Sequence, residues 1–84
     1  MAKKINKKFD VEVAFIQNGT IEEWDTDCVQ DYIDAVSAEE AISLARDYVC
    51  GCIVENGENP DEHEFTLRAA EFFNGERGEW IYEN

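Results

Sequence analysis

Phe9, Val11, Val13 and Phe15 alternate with Asp10, Glu12 and Ala14, and Asn18-Gly19 follows within three residues of the run. Alternation at period two is the pattern of a half-buried strand, because successive side chains point to opposite faces of a sheet. Asn-Gly behind such a run predicts a type I′ turn, which needs positive φ at both central positions and so selects these two residues. The reading is a strand over 9–16 with an antiparallel return over 20–25. With 84 residues in all, one small domain is the most that can be built around that hairpin.

Downstream, 26–30 carries no clear pattern, and 31–36 reads as a continuation of the returning strand after an irregular acidic stretch. Ser37-Ala38-Glu39-Glu40 has the form of a capping box and starts a helix. On the helical wheel Ala41, Ile42, Leu44, Ala45, Tyr48, Val49 and Cys52 share one arc, with Glu39, Ser43, Arg46, Asp47 and Cys50 opposite. Gly51 offers an early stop, but Asn56-Gly57 is the better terminator, and the longer helix is expected. After a polar loop over 58–62, residues 63–73 read as a third strand with Phe65, Leu67, Ala69 and Phe73 on one face. A five-residue turn, Asn74 to Gly78, leads to a last strand over 79–83.

The expected fold is therefore α+β: an antiparallel sheet of about four strands with one amphipathic helix on one face, in the order β-β-α-β-β. Residues 1–8 are expected to be a flexible basic arm and 9–84 a single domain. One helix covers one face only, so Ala14, Ile16, Ala70 and Phe72 fall by parity on the other. Either a second copy covers them, as a homodimer through the helix-free sheet face, or loop residues such as Trp24 and Trp80 do.

Composition enters through charge. Seven basic residues stand against 20 acidic ones, a net −13. Lys3, Lys4, Lys7 and Lys8 hold four of the seven, so from Phe9 onward three arginines face all 20 carboxylates, a net −17. Such a body repels nucleic acid and anionic membranes and attracts basic proteins. Its ten aromatic residues argue for a folded chain. Neither an apolar run long enough to cross a bilayer nor a signal-peptide pattern is present, and three cysteines without a dense framework suit a reducing compartment, so a cytoplasmic protein is expected.

Catalytic chemistry finds no support. His63 lies between Glu62 and Glu64, which point to alternate sides if extended, and a solvated histidine is the simpler reading. Cys50-Gly51-Cys52 lacks the Cys-x-x-Cys spacing and places its sulfurs on nearly opposite sides of a continuing helix, which argues against a metal site completed by Cys28 and His63. Neither acidic cluster has the ligand ladder of a calcium loop. A non-enzymatic protein with no cofactor and no metal is expected.

What the acid offers is a surface. Same-face strand positions recur every ~6.6 Å, so Asp10 with Glu12, and Glu62 with Glu64, present fixed carboxylate rows. Glu22, Glu23, Asp25 and Asp27 add a further cluster, and Trp24, Trp80 and Tyr82 stand beside them as aromatic anchors. A merely solubilising surface would carry the same charge. In its lysine-bearing start, its Ser37-Ala38-Glu39-Glu40-Ala41 helix entry and its closing Arg68-Ala69-Ala70-Glu71 to Gly78-Glu79-Trp80 pattern, the chain resembles small acidic proteins of phages and mobile elements. Among these are anti-CRISPR inhibitors, which occupy the DNA-binding channels of Cas nucleases. The resemblance spans about half the chain and transfers no functional residue. It implies an inhibitor that occupies the basic groove of a nucleic-acid-binding protein, such as a Cas nuclease, without binding nucleic acid or membrane itself; the alternative is a homo-oligomeric structural or adaptor module.

Overall fold

The computed structural model of the chain describes residues 6–21, 23–24 and 32–83. Strand β1 (Lys7–Gln17) pairs antiparallel with β4 (Phe65–Phe73) through eight residue pairs, from Lys8 opposite Phe72 to Phe15 opposite Phe65. Two short strands, β2 (Thr20–Ile21) and β3 (Ile33–Ala35), both lie on the far edge of β1. Another two, β5 (Glu76–Arg77) and β6 (Ile81–Tyr82), lie on the far edge of β4. The sheet thus has four lanes, the outer two broken, with helix α1 (Ala38–Glu55) between the halves of the chain. A 3-10 turn, Pro60–Glu62, leads from α1 into β4. This is the expected α+β order. Strand β1 begins at Lys7, two residues inside the expected arm, because Lys7 and Lys8 pair with Ala35 and Asp34.

Both hairpins turn on Asn-Gly. Asn18 and Gly19 have φ of 55° and 78°, and Asn74 and Gly75 have 53° and 78°, as a type I′ turn requires. The second turn is therefore two residues long and not five. Gly78, expected inside it, lies between β5 and β6, where its N–H donates to the Glu71 carbonyl at 2.8 Å. In the lane beside β1 the interruption is larger. Between the β2 and β3 pairings β1 advances six residues, 10–15, while the opposite lane uses eleven, 22–32. Among the described residues the returning strand covers Thr20–Ile21 and its continuation Ile33–Ala35.

Sequence and backbone geometry combine in a paired test. Gly19→Ala is expected to destabilise by about 1 kcal/mol, since alanine is strained at positive φ. Gly51→Ala, in the interior of α1 with open space around a new Cβ, is expected to stabilise by about 1 kcal/mol. Urea unfolding of the two variants should give midpoint shifts of opposite sign; shifts of one sign would contradict the assignment of turn and helix.

Ser37 caps α1, its Oγ accepting from the Glu40 N–H at 3.2 Å, and the helix runs through Gly51 to Glu55. It buries Ala38, Ala41, Ile42, Ala45, Val49 and Ile53 against Phe9, Val11, Val13, Phe65, Leu67 and Ala69 of the sheet's inner face. Three of the expected helix positions are corrected. Leu44 and Tyr48 are 45% and 48% exposed, whereas Cys50, expected toward solvent, packs partly against the core. Alanines along the helix centre give a narrow contact stripe, so side chains on its flank stand clear of the sheet. Phe73, at the end of β4, is likewise exposed. Among the described residues no helix is long and apolar enough to cross a membrane.

Candidate functional site

The face of the sheet away from α1 is organised by one cation. Register sets Arg68 on β4 between Glu12 on β1 and Tyr82 on β6, all three in one row across the sheet. Nε and Nη2 of Arg68 both donate to Glu12 Oε1, the first at 2.9 Å, and Nη1 donates to the Tyr82 hydroxyl at 3.3 Å. Rings enclose the guanidinium: its carbon lies 4.0 Å from the Trp80 centroid, 4.4 Å from Trp24 and 5.9 Å from Tyr82. Trp24 also meets Tyr82 edge-on at 5.8 Å. Arg77, diagonally placed on β5, stacks on Trp80 at 4.7 Å and reaches Asp10 at 3.4 Å.

On the helix-free face Ala14 and Ala70 have no exposure, and Ile16 is half-buried. Phe72 is half-buried, with the Tyr32 ring 5.0 Å away, and Lys8 sits over Tyr32 in turn. Trp24 and Trp80, expected as cover for this face, pack there around Arg68.

Arg46 is bound in the same manner at the other side of the sheet. Its Nε donates to Glu83 Oε2 at 2.7 Å, Nη2 donates to Glu83 Oε1 and to the Phe65 carbonyl, and the guanidinium stacks on Phe65 at 4.6 Å. Hydrogen bonding to Glu83 holds the Arg46 pKa above its ordinary value. Burial pulls Arg68 down, but the bonds to Glu12 and Tyr82 outweigh it and hold that pKa above its ordinary value too. A cation raised in this way contributes stability that is complete below its unfolded pKa, itself far above neutrality, and is lost only as pH rises through the folded value. Neither arginine therefore introduces pH dependence near neutrality.

Of the residues singled out by sequence, Asp10, Glu12, Trp24, Trp80 and Tyr82 come together here, but around arginines. Asp10 and Glu12 are neutralised in place and have little charge to offer a partner. Glu62 and Glu64 sit elsewhere: Glu64 is opposite Ile16, four residues from Arg68 on β4, roughly 13 Å at the strand rise. Both are exposed, and so is Glu23. Glu22, Asp25, Asp27 and Cys28 lie outside the described residues. Arg68 and Arg77 are the organisers that sequence reasoning missed. Their signal was parity with Glu12 and Asp10, which has meaning only once the β1–β4 register is known.

Acid concentrates at the C-terminal end of α1. Glu55, Glu58, Asp61, Glu62 and Glu64 occur within ten positions, and the His63 ring lies 3.2 Å from Glu58. The last turn of α1 has no basic residue, so this charge opposes the helix dipole. Cys50 and Cys52 are about 200° apart around the uninterrupted helix, and no group of three metal-ligating side chains forms among the described residues. No family model matches the chain, and no curated protein and no solved structure shows significant similarity to it.

Proposed function

We propose that this chain is a non-enzymatic acidic binding protein that occupies the basic nucleic-acid-binding groove of a partner protein, as anti-CRISPR inhibitors do with Cas nucleases. The observation carrying this reading is the internal use of cations. All three arginines pair with carboxylates, Arg68 with Glu12, Arg77 with Asp10 and Arg46 with Glu83, and Lys7 lies 3.6 Å from Glu71. Among the described residues, what remains outward is mostly negative: Glu40 and Asp47 on the solvent side of α1, and the group from Glu55 to Glu64, with Lys8 an exposed cation set over the Tyr32 ring. Duplex DNA carries one charge per ~1.7 Å of axis, and a groove built to hold it gains by exchanging small counterions for a fixed anionic surface. Charge placed against a helix dipole lowers stability, which suits a surface kept for binding better than one kept for solubility.

The rival reading, a homo-oligomer through the helix-free face, finds less support, because the apolar residues that motivated it are covered within one chain and each copy carries −13.

Immobilised protein is expected to capture nucleic-acid-binding proteins from lysate, to release them to excess duplex DNA, and to lose them steeply with added salt. Capture of non-basic proteins, or retention against DNA, would refute the reading; capture of nothing would leave the surface merely solubilising.

A further inference from the structure

Three of the exposed large apolar side chains, Tyr32, Leu44 and Tyr48, surround one feature: an open pocket of about 360 Å³ between the edge strand β3 and α1, completed by Ile33 and Asp34. Two properties of its walls define what fits it. The first is backbone. Ile16 donates to the Glu64 carbonyl at 2.8 Å, so the even residues of β1 bond toward β4 and the odd ones toward the opposite lane. Phe9–Ile33 and Lys7–Ala35 are then the bonded pairs, and Asp34 turns its N–H and C=O outward from the edge. No further strand pairs with β3 among the described residues.

The second property is charge. Leu44 and Tyr48 are one turn apart on α1, and Glu40, Asp47 and Glu55 border them on the same side of the helix. The single cation of α1, Arg46, lies on the opposite flank and is held by Glu83. A second copy of this chain is a poor occupant, since it would bring the same acids to the same groove.

Resting on the reading that the acidic surface faces a basic protein, we propose that this groove is where the partner's chain is gripped: an extended cationic segment adds as a strand beside β3. It bonds to the Asp34 main chain, sets one apolar side chain into the pocket beside Leu44 and Tyr48, and directs lysines or arginines at the next same-face positions, two residues to either side, to Glu40, Asp47 and Glu55. Edge pairing supplies main-chain hydrogen bonds and the pocket supplies the side-chain preference.

The test uses the full chain and a capped peptide, Lys-Thr-Lys-Thr-Leu-Thr-Lys-Thr-Lys, in which leucine and lysines share one strand face, followed by amide NMR and fluorescence anisotropy. Shifts are expected at Ile33–Ala35, Leu44 and Tyr48. Leu44→Ser and Tyr48→Ser, both at exposed positions that the fold does not need, should each weaken binding by about tenfold. A peptide N-methylated on the edge-facing amides should not bind, and hexalysine should bind far more weakly. Equal binding of hexalysine, shifts confined to 55–64, or indifference to N-methylation would overturn the groove while leaving the acidic-surface reading standing. No binding by any of these peptides, or dimerisation through β3 in sedimentation, would overturn it as well. Failure of DNA competition, by contrast, sinks the broader reading without touching this result.

Discussion

Arg68→Ala is expected to lower the free energy of unfolding by about 2–4 kcal/mol, between the cost of breaking a buried ion pair and that of an exposed one. The side chains of Arg68 and Glu12 retain only 17% and 18% of their exposure, so truncation leaves a largely desolvated carboxylate without its cation. It also removes the stacking partner of Trp24 and Trp80, a desolvated cation–π contact worth up to about 2 kcal/mol. A chain of this length has roughly 4–13 kcal/mol in total, at 0.05–0.15 kcal/mol per residue, so the loss is a large part of the whole. The chain's two tryptophans both contact Arg68, and their fluorescence reads the site directly. Arg68→Lys keeps the charge but loses the planar fork and should fall between wild type and alanine. The pair Glu12→Leu with Arg68→Met should recover most of the loss, because an apolar pair of similar volume leaves nothing unpaired. An unchanged urea midpoint with unchanged tryptophan emission in Arg68→Ala would show that the clasp is ornamental.

Leu67→Ala is expected to cost about 3 kcal/mol or more and to lower the melting temperature by roughly 15 °C. Leu67 is fully buried on β4, directly opposite Val13, under the helix. The facing stripe of α1 carries Ala38, Ala41 and Ala45, whose methyl groups have no reach to refill a cavity. Close packing across that interface makes the cost approach the upper part of the usual range for leucine truncation. Thermal unfolding followed by circular dichroism measures it. A loss below about 1 kcal/mol would mean that the interface relaxes and that the core lies elsewhere. Comparing the two variants separates the layers of the molecule. Arg68→Ala should disturb tryptophan emission before global unfolding, whereas Leu67→Ala should shift every signal together.

Local rules carried much of this protein unaided. The Phe9–Phe15 alternation and Asn18-Gly19 specified a hairpin because the turn demands two positive φ values that few other pairs adopt. Ser37 specified a helix start, and Asn56-Gly57 its end, because caps satisfy orphaned backbone groups within three or four residues. The second Asn-Gly pair, Asn74-Gly75, held the same instruction, but a neighbouring glycine, Gly78, obscured the turn's length. Long-range facts were illegible for one reason: they depend on register between strands more than fifty residues apart. That Glu12 meets Arg68 follows from the pairing of β1 with β4, and that Asp10 meets Arg77 follows from that pairing together with the pairing of β4 with β5. The rotation of α1 is likewise set by how closely its alanines approach the sheet, and that approach, not the helical wheel, left Leu44 and Tyr48 in solvent beside β3. Charge was countable from the start; which charges remain unpaired was decided when the chain closed on itself.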